Sequence, residues 1–528
     1  VIQSGSRLWP EADIHPLAET FDAAAVPLED VVLTPPMRLG DFVRDGWHVL
    51  EPGTAYRHGW HIDAVCEHLE AVAFGQIRNL LITIPPGHMK SLIVSVFWPA
   101  WMWSWRATWR GIFSSYDSTL AIRDSTKTRQ LLDSPWFKET FQPAWRFSTD
   151  QNVKSYFQNT QMGFRLSLHV GGGTGYRGDA TVVDDPMNAM DRYSDEKRKR
   201  VINWWDTTMS SRFSNQETGS RIIIAQRLHQ EDLPGHVIAK GEYEHLNLPS
   251  EYEPARAAKT SIGWSDPRTT PGELLFPALF PRPVLEQAKK DLGSLDYAAQ
   301  HQQDPGVLEG SLFKRNWWKY YDAGDLPRRF DVVVLSLDCN FKETADGSFV
   351  VFQLWGKKGS NLYLLGQIRL RIDFPKTIAA FQWVVRIEPR LSAKYVEDKA
   401  NGPAVIASLK QHIPGIVPIS AETSYVARWA ASSPYVEAGN LWLPTKASSK
   451  AWTETLRSAA LDPAQTWIQP HEVSEDWVSE FVDEHAHAPT GRYDDQVDAQ
   501  AQVTLKLLTG LQPKEDLDPK NWGVARME

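Results

Sequence analysis

Short, fully apolar runs that end abruptly in polar or charged residues constrain this chain more than any other feature. Leu80-Leu81-Ile82-Thr83-Ile84 runs into Pro85-Pro86-Gly87-His88-Met89-Lys90-Ser91. Val182-Val183 runs into Asp184-Asp185, and Ile222-Ile223-Ile224-Ala225 into Gln226-Arg227. A run with no polar alternation belongs in a strand covered on both faces, and helical stretches at 119–132 and 194–209 separate these runs. The pattern from 57 to 249 therefore predicts a mostly parallel α/β sheet with helices on both sides.

A second pattern begins at Asp331. Runs at 332–338, 349–355 and 362–370 read as three antiparallel strands, with Lys357-Lys358-Gly359-Ser360 as a hairpin turn. A helix (377–387), a strand (394–398), a helix (403–411) and a strand (415–419) follow. The last helix, 495–508, has Val497, Ala501, Leu505 and Leu508 on one face and stops at Gly510. Between the two patterns lies a Pro-rich connector with one amphipathic stretch at 284–292. The expected division is an arm (1–35), a first domain (36–250), a connector (251–330), a second domain (331–512) and a tail (513–528).

A length of 528 residues asks for more than one domain, and 42% hydrophobic residues allow each a core. The net charge of −9 argues against a generally basic nucleic-acid binder, leaving local tracks such as Lys197-Lys199 with Arg198 and Arg200, and Lys314-Arg315 with Trp317 and Trp318. Two cysteines, Cys66 and Cys339, cannot make a disulfide framework, which fits a reducing compartment. No apolar run reaches membrane-spanning length and no segment reads as a signal peptide, so a soluble, intracellular protein is expected.

The first apolar run has the form of a phosphate loop: a strand, a tight turn whose N–H groups can point at phosphate, then a helix N-terminus. Lys90 would reach the β and γ phosphates and Ser91 would take a magnesium ligand position. Gly87, His88 and Met89 complete the loop, which departs from G-x-x-x-x-G-K-[ST] in having Ile84 and Met89 at the two glycine positions. Met89 is expected to sit there without positive φ. Asp184 would hold magnesium and Asp185 orient the attacking water, with Glu196 as the alternative carboxylate. Gln226 and Arg227 would sense the γ-phosphate. Arg177, on a glycine-rich loop, is the arginine-finger candidate, with Arg165 and Arg212 as alternatives, and Trp60 is the guess for adenine contact.

Metal-dependent phosphodiester cleavage needs several carboxylates converging on two ions. Asp338 closes a Val/Leu run where an acid is costly unless paired or metal-bound. Asp398 ends a later strand, with Glu397 expected to point the opposite way. Asp494, Asp495 and Asp498 cluster at a helix start, where one acid is explained by capping but three are not.

Taken together, the chain resembles the large terminase subunit of tailed bacteriophages from about Gly59 to Ala501. The carriers are the loop 85–91, Val183-Asp184-Asp185-Pro186, the segment 224–233, Tyr297–Gly306, Val396-Glu397-Asp398-Lys399-Ala400-Asn401-Gly402 and Tyr493-Asp494-Asp495-Gln496-Val497-Asp498-Ala499. The resemblance implies an N-terminal ASCE-type ATPase domain and a C-terminal RNase H-like nuclease domain. It implies ATP with Mg2+ at the first site, and Mg2+ or Mn2+ at the second, held by Asp338, Asp398 and Asp495 with Asp494 as a fourth. The implied partners are double-stranded viral DNA, the procapsid portal protein and a small terminase subunit. The implied assembly is a ring on the portal formed from monomers, in the host-cell cytoplasm and with no membrane. The alternative is a helicase-like DNA-translocating ATPase whose RNase H-like domain binds DNA without cutting it.

Overall fold

The computed structural model describes residues 34–173, 175–306, 312–339, 349–398, 402–420 and 424–509. Nearly all of the expected arm, the whole tail, Gly510, and Lys399-Ala400-Asn401 lie outside the described residues. The chain forms two compact units. One takes in the described residues up to Gln287 together with Leu295–Gly306; the other takes in Ala288–Ser294 and the described residues from 312 onward.

The first unit is built on eight strands: β1 (Asn79–Thr83), β2 (Gly111–Ser115), β3 (Phe147–Val153), β4 (Tyr156–Asn159), β5 (Phe164–His169), β6 (Ala180–Asp184), β7 (Ser220–Ala225) and β8 (Glu244–Asn247). Their order is β3-β4-β5-β2-β6-β7-β1-β8, and all neighbours from β5 to β8 run parallel. Strand alternation sends Leu80, Ile82, Ile222 and Ile224 into a core on one face, with the helices Leu39–Leu50 and Trp60–Ala73. Leu81, Ile223 and Val183 enter a second core on the other face, with Val201 and Trp204 of helix Asp195–Thr207. The uninterrupted apolar runs are thus explained by burial on both sides. One strand, β7, separates the phosphate-loop strand β1 from the acid-bearing strand β6, which is the ASCE arrangement. The edge ribbon β3-β4-β5 was not expected: Ser148, Thr149 and Asp150 break the apolar pattern, and β3 pairs only with β4 at the sheet edge.

The second unit carries β9 (Lys319–Tyr321), β10 (Val332–Cys339), β11 (Val350–Lys358), β12 (Asn361–Leu370), β13 (Leu391–Glu397), β14 (Ile416–Ile419) and β15 (Leu441–Pro444). Their order is β14-β13-β10-β11-β12-β15-β9, antiparallel across β10-β11-β12 and parallel elsewhere. The five strands β12-β11-β10-β13-β14 make an RNase H-like sheet. On β10, Val333, Leu335, Leu337 and Cys339 enter the main core with Phe381 and Val384 of helix Phe374–Ile387. Ser336 and Asp338 face the opposite side, where the Ser336 hydroxyl donates to Ala499 O at 2.8 Å.

The helix Asp495–Leu508 is buried more completely than its apolar stripe predicts. Val497, Ala499, Ala501 and Val503 are all inaccessible, whereas Leu505 and Leu508 are only half-buried. It packs against β10, β11 and the helices Tyr425–Glu437 and Trp477–His487. Its polar Gln496, Gln500 and Gln502 are therefore buried too. Gln496, for example, donates through Nε2 to Glu484 at 2.6 Å.

Candidate functional site

In the first unit, the chain leaves β1 through Pro85 and Pro86 and re-enters helix at Lys90. Gly87 turns at φ 78°, and a Cβ there would meet the Phe280 ring at 2.6 Å, so no side chain fits at this position. His88 stacks on the same ring at 4.4 Å and 14°. Met89 adopts φ 63°, contrary to expectation. The turn needs a left-handed residue ahead of the helix, and the chain places a methionine in that strained conformation rather than re-routing the loop. The helix that follows is wound as a π-helix over Leu92–Phe97, a geometry that recurs at functional sites.

Lys90 Nζ lies 2.6 Å from Asp185 Oδ1; the lysine is buried and the carboxylate partly so. Asp185 itself sits at φ 43°, its carbonyl accepting from Tyr116 N–H at 3.2 Å and its Oδ1 from Gln226 N–H at 3.2 Å. Asp184 Oδ2 accepts from Ser95 Oγ at 3.0 Å, while its buried Oδ1 accepts no hydrogen bond from the described residues. Burial, then the neighbouring Asp185 charge, pushes the Asp184 carboxyl up to about 7; Lys90 and the Ser91 hydroxyl pull the other way. A buried carboxylate with one oxygen unsatisfied, beside a serine hydroxyl, suits a hard divalent cation.

The other candidates in this unit are more scattered. Glu196 is exposed and paired to Arg200 at 3.1 Å, so Asp185 is the carboxylate that faces Lys90. Gln226 lies at the end of β7 beside Asp185, its Oε1 buried and unsatisfied. Arg227 is consumed by structure: its Nε donates to both Asp232 oxygens at 3.0 and 3.1 Å, and its Nη2 to the His229 and Gln230 carbonyls. Trp60 stacks on Trp264 at 6.2 Å, with the Arg268 guanidinium 5.2 Å from its ring, so its faces are already engaged. Arg177 is exposed; Arg212 is half-buried and donates to Thr208 O. Arg165 cannot reach another subunit: it is 1% exposed, lies 4.3 Å from the Phe113 ring centre and donates to Ser95 O at 2.9 Å. Ser95 links it to Asp184, so Arg165 braces the acid from behind.

In the second unit, Asp338 on β10 is buried. Burial first, then the charges of Asp498, Asp495, Glu397 and Asp494, hold its carboxyl well above the usual carboxylate range. Asp495, 3% exposed at the first turn of its helix, is pushed up to about 7 by burial, although it accepts Phe349 N–H at 3.0 Å. Asp494 is raised to about 6, by burial and then by Asp498.

Glu397, not Asp398, joins this group. The parallel pairing of β10 with β13 sets Leu337 against Val396, both in the core, which turns the next residue of each strand, Asp338 and Glu397, toward the other face. Strand β13 ends at Glu397, and Asp398 is exposed beyond it, its N–H bonded to Ile419 O. Arg428, absent from the expected set, lies 2.9 Å from Glu397 Oε1 and 2.8 Å from Asp498 Oδ1. Trp429 Nε1 also donates to Asp498, at 2.8 Å. Arg428 has no motif around it, and the face that Glu397 takes is set by the pairing of β13 with β10. Among the described residues, no three acids, histidines or cysteines are gathered closely enough to share a metal ion as the side chains stand. The all-oxygen donor set and the crowded, buried charge nevertheless fit Mg2+ or Mn2+.

No protein-family model and no curated protein matches the chain. It is similar to solved large terminases. One is the large terminase of a thermophilic bacteriophage in complex with ADP, at 12% identity over 88% of this chain and 99% of that chain, with a TM-score of 0.45. Another is the HK97 bacteriophage large terminase, at 9% identity over 77% and 89%, with a TM-score of 0.33. The large terminase nuclease of thermophilic phage G20c matches at 11% identity over 38% of this chain and 98% of that chain, with a TM-score of 0.25. At these identities and scores, function has to be read from this chain's own residues.

Proposed function

We propose that the chain is a viral DNA-packaging motor subunit that hydrolyses ATP to translocate double-stranded DNA and cuts the concatemer with a metal-dependent nuclease. The observation that carries this reading is the Lys90–Asp185 ion pair. It joins the loop after β1 to the end of β6, in a chain whose second sheet crowds acids around Asp338.

In the motor, the triphosphate draws Lys90 away from Asp185. The freed carboxylate, fixed by the Gln226 N–H, then accepts a proton from the attacking water. Ser91 and Asp184 would hold Mg2+, which would supply charge neutralisation for phosphoryl transfer. Gln226 registers the state of the site through its contact with Asp185, and Arg227 holds the segment behind it. In the second unit, Asp338, Asp495, Asp494 and Glu397 would hold Mg2+ or Mn2+, with Asp398 near the strand end. When bound there, such ions would supply Lewis acidity for phosphodiester hydrolysis. The terminase resemblance extends the proposal to docking on the portal as a ring of subunits, to DNA selection by a small terminase subunit, and to Arg177 acting across subunits.

One observation favours a second reading, a DNA-binding but silent second unit: Arg428 already neutralises Glu397 and Asp498. One experiment addresses both readings. Lys90→Ala is expected to abolish ATP turnover while leaving Mn2+-dependent plasmid nicking intact. Normal ATP turnover in that variant sinks the motor assignment; absence of EDTA-sensitive nicking in the wild-type chain favours the silent unit.

A further inference from the structure

Beside the acid cluster of the second unit lies a group of arginines and aromatic rings with no part in the chemistry above. Arg369, near the end of β12, and Arg371, just past it, set their guanidinium carbons 3.6 and 4.1 Å from the centre of the Phe349 ring. Tyr493 meets Phe349 edge-on, with centroids 5.1 Å apart and planes at 79°. Arg371 Nη2 donates to the Tyr493 hydroxyl at 2.9 Å, and the Arg492 guanidinium lies 5.3 Å from the Tyr493 ring centre.

This group is fastened to the acid site from below. Phe349 N–H donates to Asp495, and Arg369 donates to Glu484 at 2.9 Å. The other oxygen of Glu484 accepts the N–H of Gln496, the residue after Asp495, at 2.7 Å. Arg369 is thereby a structural tie, whereas Arg371 and Arg492 are exposed.

A guanidinium lying on a ring keeps its charge and loses little further freedom when it binds, because the aromatic face has already fixed its plane. Its N–H edge matches two oxygens of a phosphate. A buried acid cluster needs such a rim, since its own charge repels the backbone of any strand approaching it. Resting on the nuclease reading above, we infer that Arg371 and Arg492, seated on Phe349 and Tyr493, grip backbone phosphates of the DNA strand being cut and hold it over Asp338 and Asp495.

The test uses the full chain with single Arg371→Gln, Arg492→Gln and Arg371→Lys variants. Binding of a fluorescent DNA duplex is titrated in EDTA across a salt series, and Mn2+-dependent nicking is resolved into KM and kcat. Each glutamine variant should weaken binding about tenfold near 0.1 M salt and lower the salt slope by about one. KM should rise with kcat nearly unchanged. The lysine variant should restore the slope but only part of the affinity, because an ammonium cannot present the planar fork. Glutamine variants that bind with wild-type affinity and slope overturn the inference. Arginine-dependent binding by a wild-type chain that never nicks would leave the phosphate grip standing and remove the nuclease reading instead.

Discussion

The two units solve the same electrostatic problem in opposite ways. Each gathers carboxylates at the end of its sheet, at the close of β6 in the first and around the ends of β10 and β13 in the second, where burial disfavours their charge. In the first unit the chain brings its own cation to the edge of the site: Lys90 pairs with Asp185, and Asp184 is left with a raised pKa and an oxygen that accepts no hydrogen bond from the described residues. In the second, Arg428 neutralises the outer acids Glu397 and Asp498, while Asp338, Asp494 and Asp495 are all held up. A site with an internal counter-ion can rest without ligand and be switched by a phosphate that competes for the lysine. On the proposed nuclease reading, a site with several mutually repelling acids is completed by cations.

Asp338→Asn breaks the comparison most severely. It removes the acid at the centre of the second cluster, and metal-dependent nicking should fall by about a thousandfold or more, with ATP turnover unchanged. Gel-based nicking and phosphate release, measured on the same preparation, check both halves.

Next in size is the contrast between Glu397→Gln and Asp398→Asn. If the β10–β13 register decides which acid works, Glu397→Gln should lower nicking about a hundredfold and Asp398→Asn only a few-fold; the reverse order would restore Asp398. This pair also marks where the sequence stopped being legible. The strands β1, β6, β7 and β10 were readable because each is an apolar run ending in polar or charged residues, and the helix start at Asp495 because three acids cluster ahead of an apolar stripe. The side of the sheet that Glu397 faces was not, because a strand ending one residue earlier reverses the assignment, and only pairing to β10 fixes where it ends. Arg165 and Arg227 failed as functional candidates for a related reason. Burial and hydrogen-bond partners set their roles, and neither leaves a local trace in sequence. Met89 is the converse case, a residue type that argues against the left-handed turn it nevertheless adopts.

A pH shift should move the two units in opposite directions when metal is chelated. In the first, His61 and His88 are buried and His245 is partly buried, and their pKa values fall to about 3, about 4 and about 4, desolvation being the largest cause in each case. Their folded values lie below the ordinary 6.5, so their contribution is fully present above about pH 6.5 and is lost as pH falls toward 4. The limit is about 1.4 kcal/mol per pH unit for each histidine. Asp184, Asp63, Glu67 and Asp296, raised by burial, oppose this trend. In the second unit Asp338, Asp494 and Asp495 have raised folded values, so stability increases as pH falls from about 7 toward 4, with His485 opposing. Hydrogen exchange at pH 7.5 and 5.5 in EDTA, corrected for intrinsic rates and read peptide by peptide, should show the first unit loosening and the second tightening. Parallel behaviour of the two would contradict the contrast.

The smallest effect is the most direct test of the internal counter-ion. In EDTA and without nucleotide, Lys90→Met leaves the partly buried Asp185 beside Asp184 with its partner gone, and should destabilise the first unit by about 1–2 kcal/mol. Asp338→Asn removes a repelled acid and should stabilise the second by about 1 kcal/mol. Denaturant midpoints followed by the same peptide-resolved exchange would report both signs. Adding Mn2+ should then reverse the advantage of Asp338→Asn, because the wild-type cluster gains a cation that the amide holds less well. If Asp338→Asn stays the more stable chain at saturating Mn2+, the second cluster is a strained polar core, and cations do not complete it.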